Sequence, residues 1–182
     1  MTPTLLLALS LWLPGAVAEE DGGANVEVKA RPRTVVVADA ADPVGKSIAS
    51  WYEKNMAAFE AKDVRSIMAL RTDDFHTETP DGKLNTRADM EERTRRFLGR
   101  IDTWVLQDIK VAKLQVTDEL ASADVNQRTV RMQRYPDGSL HKVEARVVQR
   151  ETWKRSDGGW KLYKVDDIRD SVTLVDDAPV ER

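Results

Sequence analysis

Cysteine is absent from the 182 residues, which removes disulfides, thiolate metal ligands, a cysteine nucleophile and the lipid-bearing cysteine of a bacterial lipoprotein together. Histidine is almost as scarce. Only His76 and His141 occur, so His76-x-Glu78 offers two metal ligands at most and no metal is expected. A surplus of either charge is also missing, with 28 Lys and Arg against 31 Asp and Glu interleaved after residue 27. No field able to capture nucleic acid follows from that balance, and a small molecule or another protein is the expected partner. A Gly-rich phosphate loop, a dinucleotide fingerprint and a Ser-His-Asp set are not visible either, so no cofactor is expected.

Long apolar runs are confined to the start. In MTPTLLLALSLWLPGAVA the run Leu5 to Leu13 is followed by Pro14-Gly15 and the small-x-small site Ala16-Val17-Ala18. This is the pattern of a secretory signal cleaved after Ala18, although no Lys or Arg precedes the apolar run. The run falls short of the about 20 residues of a membrane span. The expectation is a secreted or periplasmic protein with no membrane contact after cleavage.

The remaining length suits one domain. Residues 19–41 are acidic, then Gly-, Ala- and Val-rich, and read as a linker or disordered arm. Val35-Val36-Val37 could form an edge strand there, but the linker reading is taken. Asp42 as N-cap and Pro43 at the first helical position open a helix to about Ala61, with Val44, Ile48, Trp51, Tyr52, Met56 and Phe59 along one stripe. Asn55 lies on the same stripe. Its carboxamide either finds backbone or water at the core edge or points into a cavity. Asp63 caps a second, short helix.

The stretch Asp73 to Gly82, DDFHTETPDG, turns the chain from helices to sheet: a strand to Thr79, then Pro80-Asp81-Gly82 as a turn. Thr86 and Asp89 form a capping box for a third helix ending at Gly99, with Met90, Thr94 and Phe97 inward. From Ile101 four long strands alternate with turn signals, which predicts an antiparallel meander. Apolar parity changes within the first strand, after Val111, and within the second, between Val125 and Val130. Bulges produce such changes, so a strongly bent sheet is expected. The fold class is therefore α+β: a cone-shaped roll, its curved antiparallel sheet wrapped around about three N-terminal helices over residues 42–170, with an acidic tail at 171–182.

From Asp42 to Asp170 this order, and the run AFEAKDVRSIMALRTDDFHTETPDGKLNTRADM in particular, resembles the nuclear transport factor 2-like superfamily, among the small domains related to ketosteroid isomerases and SnoaL-like polyketide cyclases. The resemblance implies a pocket in the cone. Isomerase-like members carry a catalytic carboxylate just before the Pro-x-Gly turn, where this chain has Thr79, a residue that cannot act as a base. Counting back from the turn places Asn55 where those members have an oxyanion-donating tyrosine. Two functions follow as expectations. The first is a non-catalytic small-molecule binder, homodimeric as many relatives are, with Trp51, Tyr52, Asn55, Phe75, Thr79, Phe97 and Tyr163 around the ligand. The second is a proton-transfer enzyme of the isomerase, dehydratase or cyclase kind, with Glu78 or His76 as base. If Thr79 points inward, strand alternation sends His76 and Glu78 outward unless a bulge intervenes. An association module is a further alternative.

Overall fold

The computed structural model describes residues 33–38 and 41–180. The leader at 1–18 and the arm as far as residue 32 therefore lie outside the described residues. Helix α1, Pro43–Glu60, begins as expected, with the Asp42 carboxylate accepting from the Val44 and Gly45 backbone N–H groups. Helix α2, Val64–Ala69, is capped by Asp63, and α3, Arg87–Arg100, by the full Thr86–Asp89 capping box. Between them lie strands β2, Arg71–Glu78, and β3, Leu84–Thr86, the second of which periodicity did not reveal.

Four long strands follow: β4, Ile101–Val116; β5, Leu120–Arg134; β6, Leu140–Ser156; and β7, Gly159–Val175. They form the antiparallel meander that the turn signals imply. The whole sheet is mixed, however, in the order β1-β4-β5-β6-β7-β2-β3 with β8, Ala178–Pro179, beside β7. Its two parallel contacts are β2 with β7 and β1 with β4.

Strand β1, Thr34–Val37, corrects the reading of 19–41 as a linker throughout. The Val35-Val36-Val37 run pairs with Ile109 to Val111 and buries Val37, so a short apolar segment covers an otherwise open sheet edge. The acidic tail is corrected in the same way. Strand β7 runs to Val175, and Asp176 and Asp177, both at positive φ, make the turn into β8.

The parity changes have different causes in the two strands. In β4 they are register shifts against β5, one of them between Ala112 and Gln115 around Lys113 at positive φ. In β5 no shift occurs against β6, where pairing is continuous from Leu120↔Lys154 to Arg134↔Leu140. Ala121, Ala123, Val125, Gln127, Thr129 and Arg131 all share one face. The inward face simply turns polar after Val125, and Val130 faces the other way, opposite Glu144. The core of α1 and the concave sheet face is closed at one end by Trp51, Tyr52 and Trp153, whose rings meet edge to face with centroids 5.0–6.1 Å apart.

Because β1 buries Val37 and satisfies the β4 edge, removing residues 1–38 is expected to lower the unfolding free energy by about 2 kcal/mol. Urea denaturation of the shortened chain checks this, and an unchanged midpoint would contradict it.

Candidate functional site

The polar inward positions of β5 and β6 meet α1 in a cavity of about 50 Å³. That is room for about four water-sized groups, or one compact molecule. Trp51, Met56, Phe59, Phe75, Leu162 and Val165 supply apolar walls. Its polar centre is Glu151, 2% exposed, on β6. The Tyr52 hydroxyl donates to Glu151 Oε2 at 2.7 Å, while Gln127 Nε2 and Gln149 Nε2 donate to Oε1 at 2.6 and 2.5 Å. Each donor comes from a different place in the fold. Tyr52 sits on α1, Gln127 on β5, and Gln149 two residues along β6, where strand alternation returns it to the same face.

Arg71, at the start of β2 and 4% exposed, is the buried cation beside this group. Its Nη1 donates to the Ile67 carbonyl in α2, and its guanidinium lies 5.4 Å from the Phe75 ring centroid. Burial pushes Arg71 down to about 10, against the opposing pull of Glu151, so it remains a cation at neutral pH. Burial likewise raises Glu151 above the ordinary glutamate range, opposed by the Tyr52 hydrogen bond first and then by Gln149, Arg71 and Gln127. Tyr52 is driven well upward by burial and by Glu151, which keeps it a phenol. The result is a desolvated carboxyl group held by three donors, with its affinity for a proton raised by burial.

The same curved sheet and three helices occur in solved proteins. A conserved protein from Planctomyces limnophilus is 14% identical with a TM-score of 0.55, covering 74% of this chain and 96% of that one. A ketosteroid isomerase-like protein from Erwinia carotovora atroseptica is 13% identical with a TM-score of 0.51, covering 75% and 96%. A candidate dehydratase of the NTF2-like (nuclear transport factor 2-like) family from Streptomyces avermitilis is 14% identical with a TM-score of 0.52, covering 76% and 98%. The chain has a nuclear transport factor 2-like fold. No family model and no curated protein matches it by sequence.

Within this nuclear transport factor 2-like cone, Trp51, Tyr52, Asn55 and Phe75 line the cavity. Asn55 is 9% exposed, and its Oδ1 has no hydrogen-bond partner among the described residues. Thr79, Phe97 and Tyr163 are not cavity residues. Thr79 is buried but spent on its own turn: its hydroxyl donates to Asp81 and accepts from Lys83 N at 3.0 Å. Phe97 packs beneath Arg131, 5.0 Å from the guanidinium, and against Trp104. Tyr163 faces outward, in contact with the His76 ring and with Lys154.

His76 and Glu78 are on that outer face too: the register shift of β2 against β7 falls between Arg71 and His76, and it leaves Phe75 and Thr77 in the inward positions. Glu78 lies 3.6 Å from Lys164, and His76 Nδ1 is 3.1 Å from the Asp74 carbonyl. Neither reaches the cavity. A Ser-His-Asp arrangement, not visible in sequence, does form: His141 Nε2 is 2.7 Å from Ser139 Oγ and Nδ1 is 2.6 Å from Asp176 Oδ2. Its serine also contacts Asp137 Oδ1 at 2.6 Å, and the Ser139 and Gly138 N–H groups are occupied by Asp137 and Tyr135. Neither amide is free to stabilise an oxyanion.

Sequence reasoning missed Arg71, Gln127, Gln149 and Glu151. Their signal was present in the alternation: Gln127 and Thr129 continue the inward parity of Ala123 and Val125, and Gln149 and Glu151 continue that of Ala145 and Val147.

A carboxylate raised in the folded state holds a proton that the unfolded chain releases above about pH 4.3. Stability from this group is thus present at acid pH and lost as pH rises from there through the raised folded value. Glu151→Gln is expected to remove that downward slope, since Gln can keep both glutamine donors on its oxygen. Urea unfolding of both proteins between pH 4 and pH 8 checks this, and parallel pH profiles would refute it.

Proposed function

We propose that the chain is a small-molecule binding domain whose ligand sits inside the cone against Glu151. The observation that carries this is the buried carboxylate in an open polar cavity, with three side-chain donors and a neighbouring guanidinium organised around it. A purely structural core would fill such inward positions with apolar side chains at lower desolvation cost. The leader-like first eighteen residues support export to the periplasm or the medium, and the interleaved charge supports a partner other than nucleic acid. Association into a homodimer belongs to the same reading.

Native mass spectrometry of the protein purified from its own host tests both aspects. A stoichiometric small-molecule adduct, lost on denaturation and retained in His76→Ala and Glu78→Gln variants, is expected. A ligand-free monomer would count against binding and association together.

A second reading is favoured by the raised Glu151 beside the Tyr52 phenol. That pair suits proton transfer, with Glu151 as the base and the Tyr52 hydroxyl oriented by it. Structural neighbours named as ketosteroid isomerase-like and as a candidate dehydratase lend it support. In this form of the enzyme hypothesis the base comes from β6, and the outward His76 and Glu78 take no part. Once a turnover is found, Glu151→Gln should lower kcat by roughly 10²–10⁴-fold, while His76→Ala leaves it unchanged. Full activity in Glu151→Gln would eliminate this role.

A further inference from the structure

Tyr52, Gln127 and Gln149 each commit a donor to Glu151, and two buried acceptors on residues that line the cavity are left without a partner among the described residues. The Tyr52 hydroxyl and the amide nitrogens of Gln127 and Gln149 all donate to the carboxylate, at 2.7, 2.6 and 2.5 Å. Arg71 Nη1 donates to the Ile67 carbonyl. A carboxylate is acceptor-only, so Gln149 must turn its NH₂ toward Glu151 and its carbonyl oxygen away from it. That oxygen, Gln149 Oε1, has no partner among the described residues, and neither does Asn55 Oδ1. The two residues are 1% and 9% exposed, and both line the cavity. Buried acceptors are rarely left unpaired in a native interior, because each has given up its hydrogen bond to water.

Charge narrows the class further. With Glu151 ionised its charge offsets that of Arg71, and the Arg71 guanidinium disfavours an incoming cation. The aliphatic and aromatic walls of Met56, Phe59, Phe75, Leu162 and Val165 suit a short apolar part. We propose that the cavity recognises a compact, uncharged molecule bearing at least two hydrogen-bond donors, of the primary amide or diol type, read by the carbonyl oxygens of Asn55 and Gln149. This rests on the binding reading above and gives the site a polarity opposite to one that donates hydrogen bonds to a substrate carbonyl.

The test uses two isosteric probes small enough for the cavity, acetamide and acetone, which differ in carrying NH₂ or CH₃ on the same carbonyl. Met56 and Met90 line the cavity, so their methyl NMR resonances report occupancy directly. The amide is expected to shift both resonances saturably and to bind at least about tenfold more tightly than the ketone, since a buried acceptor discriminates against a ligand lacking the donor. Asn55→Ala and Gln149→Met should each erode that preference without weakening the ketone. Equal or tighter ketone binding in the wild-type protein would overturn the donor class while leaving cavity binding intact. Millimolar amide that leaves both methyls unmoved would also overturn it, and an adduct from the host protein would then show that the cavity binds a ligand of another class. The wild-type comparison needs no variant to fold.

Discussion

A carboxylate taken out of water must be either neutralised or surrounded, and the interior of this cone does the second to Glu151. The arrangement draws on most of the fold at once: a tyrosine from α1, glutamines from β5 and β6, and an arginine held by α2 at the start of β2. Each partner is itself costly to bury alone, so the group is stable only as a set. That mutual dependence fixes how α1 sits against the sheet, because Tyr52 can reach Glu151 only if the helix presents that face to β6.

The cavity follows from the same constraint. Apolar side chains interdigitate closely, as the Trp51, Tyr52 and Trp153 rings do at the closed end. The amides and the carboxylate are held by directional bonds at their tips and cannot slide together to fill the remaining space. Space is left in the cavity lined by Asn55 and Gln149, whose oxygens have no partner among the described residues. The buried titratable group Glu151 therefore lies within the concave interior. The most titratable stretch of the sequence, Asp74 to Glu78, is on the outer face, where lysines neutralise it.

Thr79 stands where the resemblance to ketosteroid isomerases implies a carboxylate, and in the structure it is a turn residue, bonded to Asp81 and Lys83. The acid of the cone has a different address, on β6 of the same sheet.

What the chain determined by itself was local: the Asp42, Asp63 and Thr86 caps, the turns at Pro80-Asp81-Gly82 and Asp137-Gly138, and the long alternating strands from Ile101 onward. Those signals depend on neighbours within a few residues, and they were enough to give the cone and to place Trp51, Tyr52, Asn55 and Phe75 on its inner side. The tertiary structure alone decided which polar residues meet. Tyr52 and Glu151 lie 99 positions apart, and Gln127 or Glu151 in a strand reads as an ordinary exposed side chain until the partner across the cone is known. The change of parity after Val125 looked like a bulge for the same reason. Periodicity records which face a residue occupies, whereas burial depends on what that face meets, and only the curved sheet with its helices in place supplies the second half.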